Sequence, residues 1–550
     1  MGGERIFLIG LSGSGKSTVA SLVASELGWD CADTDRIVEA VAGSPVAGIF
    51  ASEGEARFRE REVEALELVA QRERVVVATG GGAPTTPGGR LALARGLVVW
   101  LQVEPAVAAA RLESHEDGEV RPLLRGDLRA RLEGQLEARR GLYELADATV
   151  DAGLQSPAEV AAEIVRAWRR AGPGGASARI ALAGPTPAEG GVAAIVRTRP
   201  GASACPVVVR RGALSGLGPI CREASLSGRA FILSDANVEP LYGSAAAASL
   251  GEAGFEAVRI TIPAGEEHKN TATLQRVYDR MLAERIERTD FAVCLGGGVV
   301  TDLGGFAAAT ILRGIGFVHV PTTMLGMVDA AIGGKVAIDH PLGKNMVGAF
   351  AQPRAVVIDP AVLETLPERE VRAGWAELIK HGLILDESLV GELERRAGQP
   401  GSLAAEDLIA RSVAIKAAVV SEDEREGGRR SLLNYGHTIG HAIEAVTGYS
   451  SYLHGEAVAV GMHAAGLIAV ELGVLDKRSL DRQQALLRAY GLPERAPGVD
   501  PEAVLQATRG DKKVRAGSVR WVLLERIGQA SVRADVPDGV VRHAAEAVLR

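Results

Sequence analysis

Residues 10–18 read Gly-Leu-Ser-Gly-Ser-Gly-Lys-Ser-Thr and follow directly on the apolar run Arg5-Ile6-Phe7-Leu8-Ile9. The run reads as a buried strand, and Thr18 to Leu27 carries apolar residues three and four apart, the period of a helix packed on one face. Strand, glycine-rich loop and helix in that order form an anion site. Glycines let backbone N–H groups curl around phosphate oxygens, and the helix N-terminus adds partial positive charge. Gly13, Ser14, Gly15 and Thr18 line this loop, Lys16 reaches the terminal phosphates and Ser17 holds Mg2+. The stretch predicts a nucleoside triphosphate site on a parallel α/β sheet.

Working outward, β-rich runs at Val75–Ala78 and Leu97–Val103 alternate with helical patterns such as Glu53–Gln71 and the amphipathic Ala158–Arg170. That alternation predicts a sheet with helices on both faces. Residues 171–191 are dominated by Ala, Gly, Pro and Ser and read as a flexible linker. A second α/β region follows, with strands expected near Val207–Arg210, Ala230–Leu233, Val258–Ile262, Phe291–Leu295 and Phe317–Val320. From about Pro367 strands nearly vanish in favour of long helical patterns until Val519–Leu524. A chain of 550 residues is too long for one core. The expected divisions are an α/β domain over 1–170, the linker over 171–191, a second α/β domain over 192–366 and a mostly helical part over 367–550.

The net charge of −8 makes no case for a nucleic-acid or anionic-membrane partner, so anionic substrates must be met by local Lys and Arg clusters. Four scattered cysteines without a C-x-x-C pair fit a thiol-reducing cytoplasm better than a disulfide framework. No apolar stretch is long enough to span a bilayer.

Downstream of the loop stand Asp33-Thr34-Asp35, Phe58-Arg59, Gly80-Gly81-Gly82 after a strand, Arg121-Pro122-Leu123-Leu124, and Arg139 before Tyr143. Phosphoryl transfer is mostly positioning and charge neutralisation, so a carboxylate near Mg2+ and cations around the acceptor belong to that chemistry. Singly these residues say little, since an Asp-x-Asp is usually a helix cap or turn. In this order and spacing residues 1–168 closely resemble shikimate kinase. The resemblance implies a three-layer P-loop kinase using ATP with Mg2+. Asp35, Arg59, Arg139 and the Gly81 backbone would hold shikimate, Ser17 and Asp33 would serve the ion, and Lys16 and Asp35 would be catalytic. Arg121 would come from a lid that includes the acidic segment 113–119. That segment is longer than usual and bears on the adenine-side role of Arg111.

The second half carries Leu295-Gly296-Gly297-Gly298-Val299-Val300-Thr301-Asp302 after a strand, which is not the G-x-G-x-x-G fingerprint. Further on are Pro321-Thr322-Thr323, Asp329, Gly333-Gly334-Lys335, Gly343-Lys344-Asn345, Glu377 and Lys380, then Arg430, Asn434, His437, His441 and His454, and Asp511-Lys512-Lys513. His437 and His441, four apart on a helical pattern, share a face and by themselves suggest a zinc pair.

The whole constellation over about 192–550 resembles 3-dehydroquinate synthase. That implies a Rossmann-like α/β NAD-binding part followed by a mostly α-helical metal-binding part. The metal, Zn2+ or Co2+, would be held by Glu377, His437 and His454, which moves His441 to the substrate side. Three protein ligands leave positions open for substrate. For NAD+ the motif match points to Asp235, Asn237, Glu266, Lys269, Gly297, Gly298, Asp302, Thr322, Thr323, Lys335 and Lys344. For substrate it points to Arg313, Asp329, Lys335, Asn345, Asn434 and Lys512, with Lys380, His441 and Arg430 catalytic. The substrate implied is 3-deoxy-D-arabino-heptulosonate 7-phosphate, oxidised and later reduced by the same NAD+ while phosphate is eliminated and the ring closes. The chain is thus expected to be a cytoplasmic bifunctional enzyme of the shikimate pathway, and a homodimer through its synthase half.

Overall fold

Strand β1 (Arg5–Ile9) is buried along nearly its whole length because aliphatic and aromatic side chains occupy both of its faces. That pattern belongs to the middle of a sheet covered on two sides. A computed structural model describes residues 4–114, 127–153, 155–171, 192–196, 205–399, 405–509, 514–515 and 518–550. The chain divides into two compact units, Met1–Ala183 and Gly184–Arg550.

In the first unit the elements run β1, α1 (Lys16–Leu27), β2 (Asp30–Asp33), α2 (Thr34–Ala42), α3 (Val46–Val69), β3 (Val75–Ala78), α4 (Pro87–Leu93), β4 (Leu97–Gln102), α5 (Pro105–Glu113), α6 (Leu128–Tyr143), β5 (Ala148–Asp151) and α7 (Pro157–Ala171). The five strands lie in the order β2-β3-β1-β4-β5, and every pairing is parallel. Val19 and Val23 of α1 and Ile164 and Trp168 of α7 close one face of this sheet. Helix α3 starts earlier than the apolar period suggests, because two helical stretches meet at Gly54, whose φ of 82° a side chain would resist. The expected linker 171–191 lies almost entirely outside the described residues, as does the expected lid from residue 115 through Arg121.

In the second unit come β6 (Val192–Val196), β7 (Cys205–Val209), α8 (Leu217–Glu223), β8 (Ala230–Asp235), α9 (Ser244–Glu252), β9 (Ala257–Ile262), α10 (Thr271–Ala283), β10 (Phe291–Gly296), α11 (Gly298–Thr310), β11 (Gly316–Pro321), the antiparallel hairpin β12 (Lys335–His340) and β13 (Gly343–Phe350), and β14 (Ala355–Ile358). Seven strands form a sheet ordered β6-β7-β14-β11-β10-β8-β9, parallel except for β6 on β7. Apolar clusters cover both faces, one around Leu303 and Phe306 of α11, the other around Leu217 and Leu250. The hairpin was not foreseen as strand. Glycines at 333, 334, 343 and 348 interrupt its pattern, and Val336 and Ile338 carry most of its contact with the core.

The rest is helical, as the sequence predicts: α12 (Glu368–Leu385), α13 (Glu387–Arg396), α14 (Glu406–Glu422), α15 (His437–Val446) and α16 (His454–Glu471) precede three further helices and the hairpin Trp521–Arg533. Small residues bring α12, α15 and α16 together. A Cβ on Gly455 would lie 1.7 Å from the Ala373 carbonyl oxygen, and one on Gly461 would lie 1.9 Å from that of Gly436. Those close approaches place Glu377, His437 and His454, one on each helix, around a common point. The fold is thus a parallel-sheet P-loop unit, then a Rossmann-like α/β region with a helical part behind it.

Candidate active sites

In the first unit, the loop between β1 and α1 wraps Lys16, whose Nζ donates to the carbonyls of Gly10 at 2.9 Å and Leu11 at 2.8 Å. Gly13 and Gly15 have φ of 82° and 89°, and a Cβ on Gly13 would strike the Ala108 carbonyl at 2.6 Å. At the loop's end Ser17 Oγ donates to Asp33 Oδ2 at 2.7 Å, so the hydroxyl and carboxylate expected at Mg2+ already face one another. Asp33 also caps α2 by accepting from the Asp35 backbone N–H at 3.0 Å, which points the Asp35 side chain towards the glycine run after β3.

That run is the floor of a cationic pocket. A Cβ on Gly82 would lie 2.0 Å from Arg59 Nη1, and one on Gly80 would lie 2.9 Å from Asp35 Oδ1. Arg139 Nη1 and the Tyr143 hydroxyl both donate to the Gly81 carbonyl, at 3.1 and 2.7 Å. Glu62, which the sequence reading passed over, holds Arg59 by accepting from Nη1 at 2.7 Å. It sits three residues from Arg59 on α3, a spacing that puts both on one helical face. Asp35, Arg59, Gly81 and Arg139 therefore converge, with Lys16, Ser17 and Asp33 beside them. Arg111 Nη2 is engaged on the Ala152 carbonyl at 2.8 Å.

In the second unit a second cradle forms where β10 and β11 end. Gly297 precedes α11, and a Cβ on it would lie 2.9 Å from Thr323 Cγ2. The Thr322 hydroxyl is buried without a hydrogen-bond partner among the described residues. An open helix N-terminus, glycines and an unsatisfied buried hydroxyl at the carboxyl edge of a parallel sheet suit a dinucleotide pyrophosphate. Beneath it Lys269 Nζ donates to Asp302 Oδ2 at 2.5 Å and to Asn345 Oδ1 at 2.6 Å. Burial pushes the Asp302 carboxyl up to about 6, with Lys269 pulling the other way. Burial alone would depress Lys269, but the Asp302 and Glu266 carboxylates more than offset it. Asp235 Oδ1 accepts from the Asn237 backbone N–H at 2.9 Å, which fixes the turn after β8.

Around the helices, Glu377 Oε1 is buried with no hydrogen-bond partner among the described residues, 3.5 Å from His437 Nε2 and 3.8 Å from His454 Nε2. Each imidazole is oriented by its other nitrogen. His437 Nδ1 faces the Tyr435 carbonyl at 3.1 Å, and His454 Nδ1 faces Glu444 Oε2 at 3.1 Å. Burial alone would raise the Glu444 carboxyl, but His454 beside it brings it down to about 2. Two aligned imidazole lone pairs and an unsatisfied carboxylate oxygen fit one divalent ion, with second partners already set. Glu377 Oε2 meanwhile accepts from Lys380, and the pair is fully buried. His441 stands 5.1 Å from His437 and 5.9 Å from His454, ring to ring, and forms a second close group with Glu444 and His454; what sets Glu377, His437 and His454 apart is the unsatisfied buried Glu377 oxygen.

Beside the triangle Lys335 pairs with Glu426, which also accepts from Asn434. Arg430 Nη1 donates to the Glu424 carbonyl at 2.6 Å, and its guanidinium abuts Gly333. Asp329 is held by Lys416, a residue the sequence reading missed. Its signal was a lone lysine inside the apolar stretch Ser412–Val420. Glu444 carries a plainer signal, seven residues after His437 on the same helical face. His381, also unread, is buried and turns Nδ1 to Ser412 Oγ at 2.8 Å. Arg313 stands apart from this cluster: it is exposed in the turn after α11 and forms no hydrogen bond or ion pair among the described residues. Lys512 lies outside the described residues.

A family model for shikimate kinase matches residues 12–169, and models for the N-terminal and C-terminal parts of 3-dehydroquinate synthase match 259–373 and 374–514. The 3-dehydroquinate synthase of Nostoc punctiforme is 52% identical over 320 residues, 57% of this chain and 88% of the relative. That of Gloeobacter violaceus is 48% identical over 339 residues, 61% of this chain and 94% of the relative. The chain belongs to the 3-dehydroquinate synthase family. Ahead of the synthase it carries a shikimate kinase domain, so both halves are enzymes. Among solved structures, the synthase half is similar to a 2-epi-5-epi-valiolone synthase from Streptomyces hygroscopicus subsp. jinggangensis with NAD+ and Zn2+ bound. The two share 32% identity at a TM-score of 0.58, over 62% of this chain and 96% of that one. It is also similar to a 2-deoxy-scyllo-inosose synthase complexed with carbaglucose-6-phosphate, NAD+ and Co2+, at 27% identity and a TM-score of 0.58, over 64% of this chain and 99% of that one.

Proposed function

We propose that the first unit transfers the γ-phosphoryl group of ATP to shikimate, and that the second converts 3-deoxy-D-arabino-heptulosonate 7-phosphate to 3-dehydroquinate with release of phosphate. The observation that carries the second assignment is the unsatisfied Glu377 oxygen facing His437 and His454, close to the dinucleotide cradle at Gly297 and Thr322. When bound, NAD+ supplies a hydride acceptor restored within each turnover, and the divalent ion, Zn2+ or Co2+, acidifies a coordinated hydroxyl. The chain's own residues do the rest. Glu377, His437 and His454 hold the ion; Asp235, Asn237, Glu266, Lys269, Gly298, Asp302, Thr323 and Lys344 position the dinucleotide. Lys335, Asn345, Arg430, Asn434 and Lys512 meet the phosphate and carboxylate ends of the substrate, with Asp329 at the hydroxyls. Lys380 and His441 move protons. Arg313, exposed after α11, supplies a further cation for the substrate, and the synthase unit pairs as a homodimer.

In the kinase unit Lys16 neutralises the transferred phosphoryl group, Ser17 and Asp33 serve Mg2+, and Arg121 closes over the phosphates. Arg59 and Arg139 hold the shikimate carboxylate over Gly81, and Asp35 takes the proton of the attacking hydroxyl. The protein works in the cytoplasm, where its free cysteines stay reduced.

The test is phosphate release from the heptulosonate phosphate by the purified chain with NAD+, before and after chelation and after Zn2+ or Co2+ is restored. Release that stops on chelation, returns with metal and leaves no net NADH supports the assignment. No release by folded, metal-loaded protein sinks it.

A further inference from the structure

Lys344 on β13 stands between two carboxylates from different parts of the synthase unit. Its Nζ lies 3.2 Å from Glu266 Oε1 on the dinucleotide side and 3.9 Å from Glu444 Oε1 on the helical side, over the Tyr449 ring at 4.2 Å. Each end continues into a site. Glu444 turns its other oxygen to His454 Nδ1 at 3.1 Å, and His454 Nε2 faces Glu377. Glu266 lies 4.0 Å from Lys269 Nζ, which binds Asp302 and Asn345, the residue next to Lys344. An unbroken line of charged and hydrogen-bonded groups therefore joins the cradle at α11 to the ligand triangle.

From this line we infer that Lys344 and Glu444 make NAD+ and the divalent ion bind cooperatively, each tightening the other. The inference rests on the cradle being the NAD+ site and the triangle the metal site.

Two physical points carry it. First, the bridge sits on a weakly buried strand: every residue of β13 is at least partly exposed. Lys344 and Glu266 keep 30% and 37% side-chain exposure, and ion pairs that open to water hold a strand weakly by themselves. Ordering β13 therefore has a conformational cost that falls on whichever ligand binds first and is spared the second. NAD+ fixes the strand through Glu266, Lys269 and Asn345. The metal fixes it through His454, Glu444 and Lys344. Second, Glu444 sets which nitrogen of His454 is presented to the ion. Outer partners of this kind change metal affinity by about 10–100-fold when removed.

The full-length chain, stripped of metal, answers the question. The NAD+ dissociation constant is measured with and without Zn2+, and the Zn2+ dissociation constant, by competition with a chromophoric chelator, with and without NAD+. Each ligand is expected to tighten the other by the same factor, in the range of about 5–150-fold usual for coupled sites. Either ligand alone should also slow amide exchange over 343–350. Lys344→Gln should bring the factor close to unity. Glu444→Gln, which keeps an acceptor for His454 Nδ1, should do the same, and Glu444→Leu should further weaken Zn2+ by about 10–100-fold. Amide-exchange protection of α12–α16 in the same chain reports whether the synthase unit of each variant is folded. A factor of unity in the unmodified protein overturns the inference. So does a Lys344→Gln variant that binds NAD+ more weakly yet keeps the full factor, because Lys344 is then a simple ligand contact. Absence of any NAD+ binding to the unmodified protein refutes the cradle assignment itself, a separate failure.

Discussion

Lys416→Met is expected to loosen the helical face of the synthase without touching a metal ligand. Lys416 Nζ is buried on α14 and donates both to the Asp329 carbonyl, at 2.6 Å, and to its carboxylate. Hydrogen bonds from a charged donor contribute about 1.5–3 kcal/mol each, and removing one member of a buried ion pair costs about 3–5 kcal/mol. The Asp329 side chain retains 27% exposure against 6% for Lys416, so water can reach part of the abandoned carboxylate and the lower end of that range applies, about 3 kcal/mol. The pH dependence follows from the same pair. Burial works to raise the Asp329 carboxyl, but Lys416 and then Lys380 outweigh it and hold it well below the usual carboxylate range. A carboxyl depressed on folding stabilises the fold above its unfolded value and loses that contribution as pH falls through the folded one. Without Lys416 the depression shrinks, so the deficit is largest near neutrality and fades in acid. Amide exchange of α12–α16 in the intact chain reads this out, with kinase-unit peptides as internal standard. About 3 kcal/mol corresponds to a rise in globally limited exchange of about a hundredfold. The double variant Asp329→Asn/Lys416→Met should cost less than the sum of the single ones by about 1–3 kcal/mol. Unchanged exchange at neutral pH, or strict additivity, would refute the reasoning.

Lys16→Met should lower shikimate-dependent ADP formation by about 10²–10³-fold while phosphate release by the synthase stays unchanged; parallel loss of both would show that the sites are not independent. Arg59→Lys should raise the KM for shikimate by about 10–100-fold, since hydrogen bonds from a charged donor contribute about 1.5–3 kcal/mol and an ammonium lacks the planar fork that Gly82 and Glu62 accommodate. Steady-state kinetics check this, and an unchanged KM would remove Arg59 from the pocket. Tyr435→Phe takes a buried hydroxyl from Gln483 Oε1, 2.7 Å away, and should destabilise the synthase unit by about 1–3 kcal/mol. Thermal unfolding with kinase ligands present would detect it, and an unshifted transition would mean that Gln483 finds another donor.

Much of this was legible because it is written locally. A strand, a glycine loop and a helix are contiguous, so residues 5–27 announce both the element order and the phosphate site. Spacing alone pointed to His437 and His441, and only the family resemblance named Glu377, His437 and His454 as the candidate ligand set before their convergence was known. What escaped depends on packing between distant segments. Lys416 looks like one polar residue on an apolar helix until α14 is laid against the turn that carries Asp329, 87 positions away. Glu62 and Glu444 matter because of what they hold, Arg59 and His454, and a carboxylate on a helix is ordinarily solvated. The β12–β13 hairpin escaped for another reason. Every residue of its outer strand is at least partly exposed, so no clear alternation of apolar residues marks it, although it bears Lys344 and Asn345.

Placing these two enzymes on one chain has no motive in the passage of an intermediate. The synthase product must still lose water and be reduced before it is shikimate, so nothing leaves one site ready for the other. The kinase contacts described fall between Gly10 and Ala152, and the synthase contacts between Asp235 and His454. Each pocket brings its own carboxylates and amides to balance its cations. What the covalent link does guarantee is a constant ratio of the two activities, set at synthesis. That gives Lys16→Met its weight: if disabling the first unit leaves the second at full rate, stoichiometry alone accounts for the fusion, and any selective advantage lies in matched amounts and not in exchange between sites.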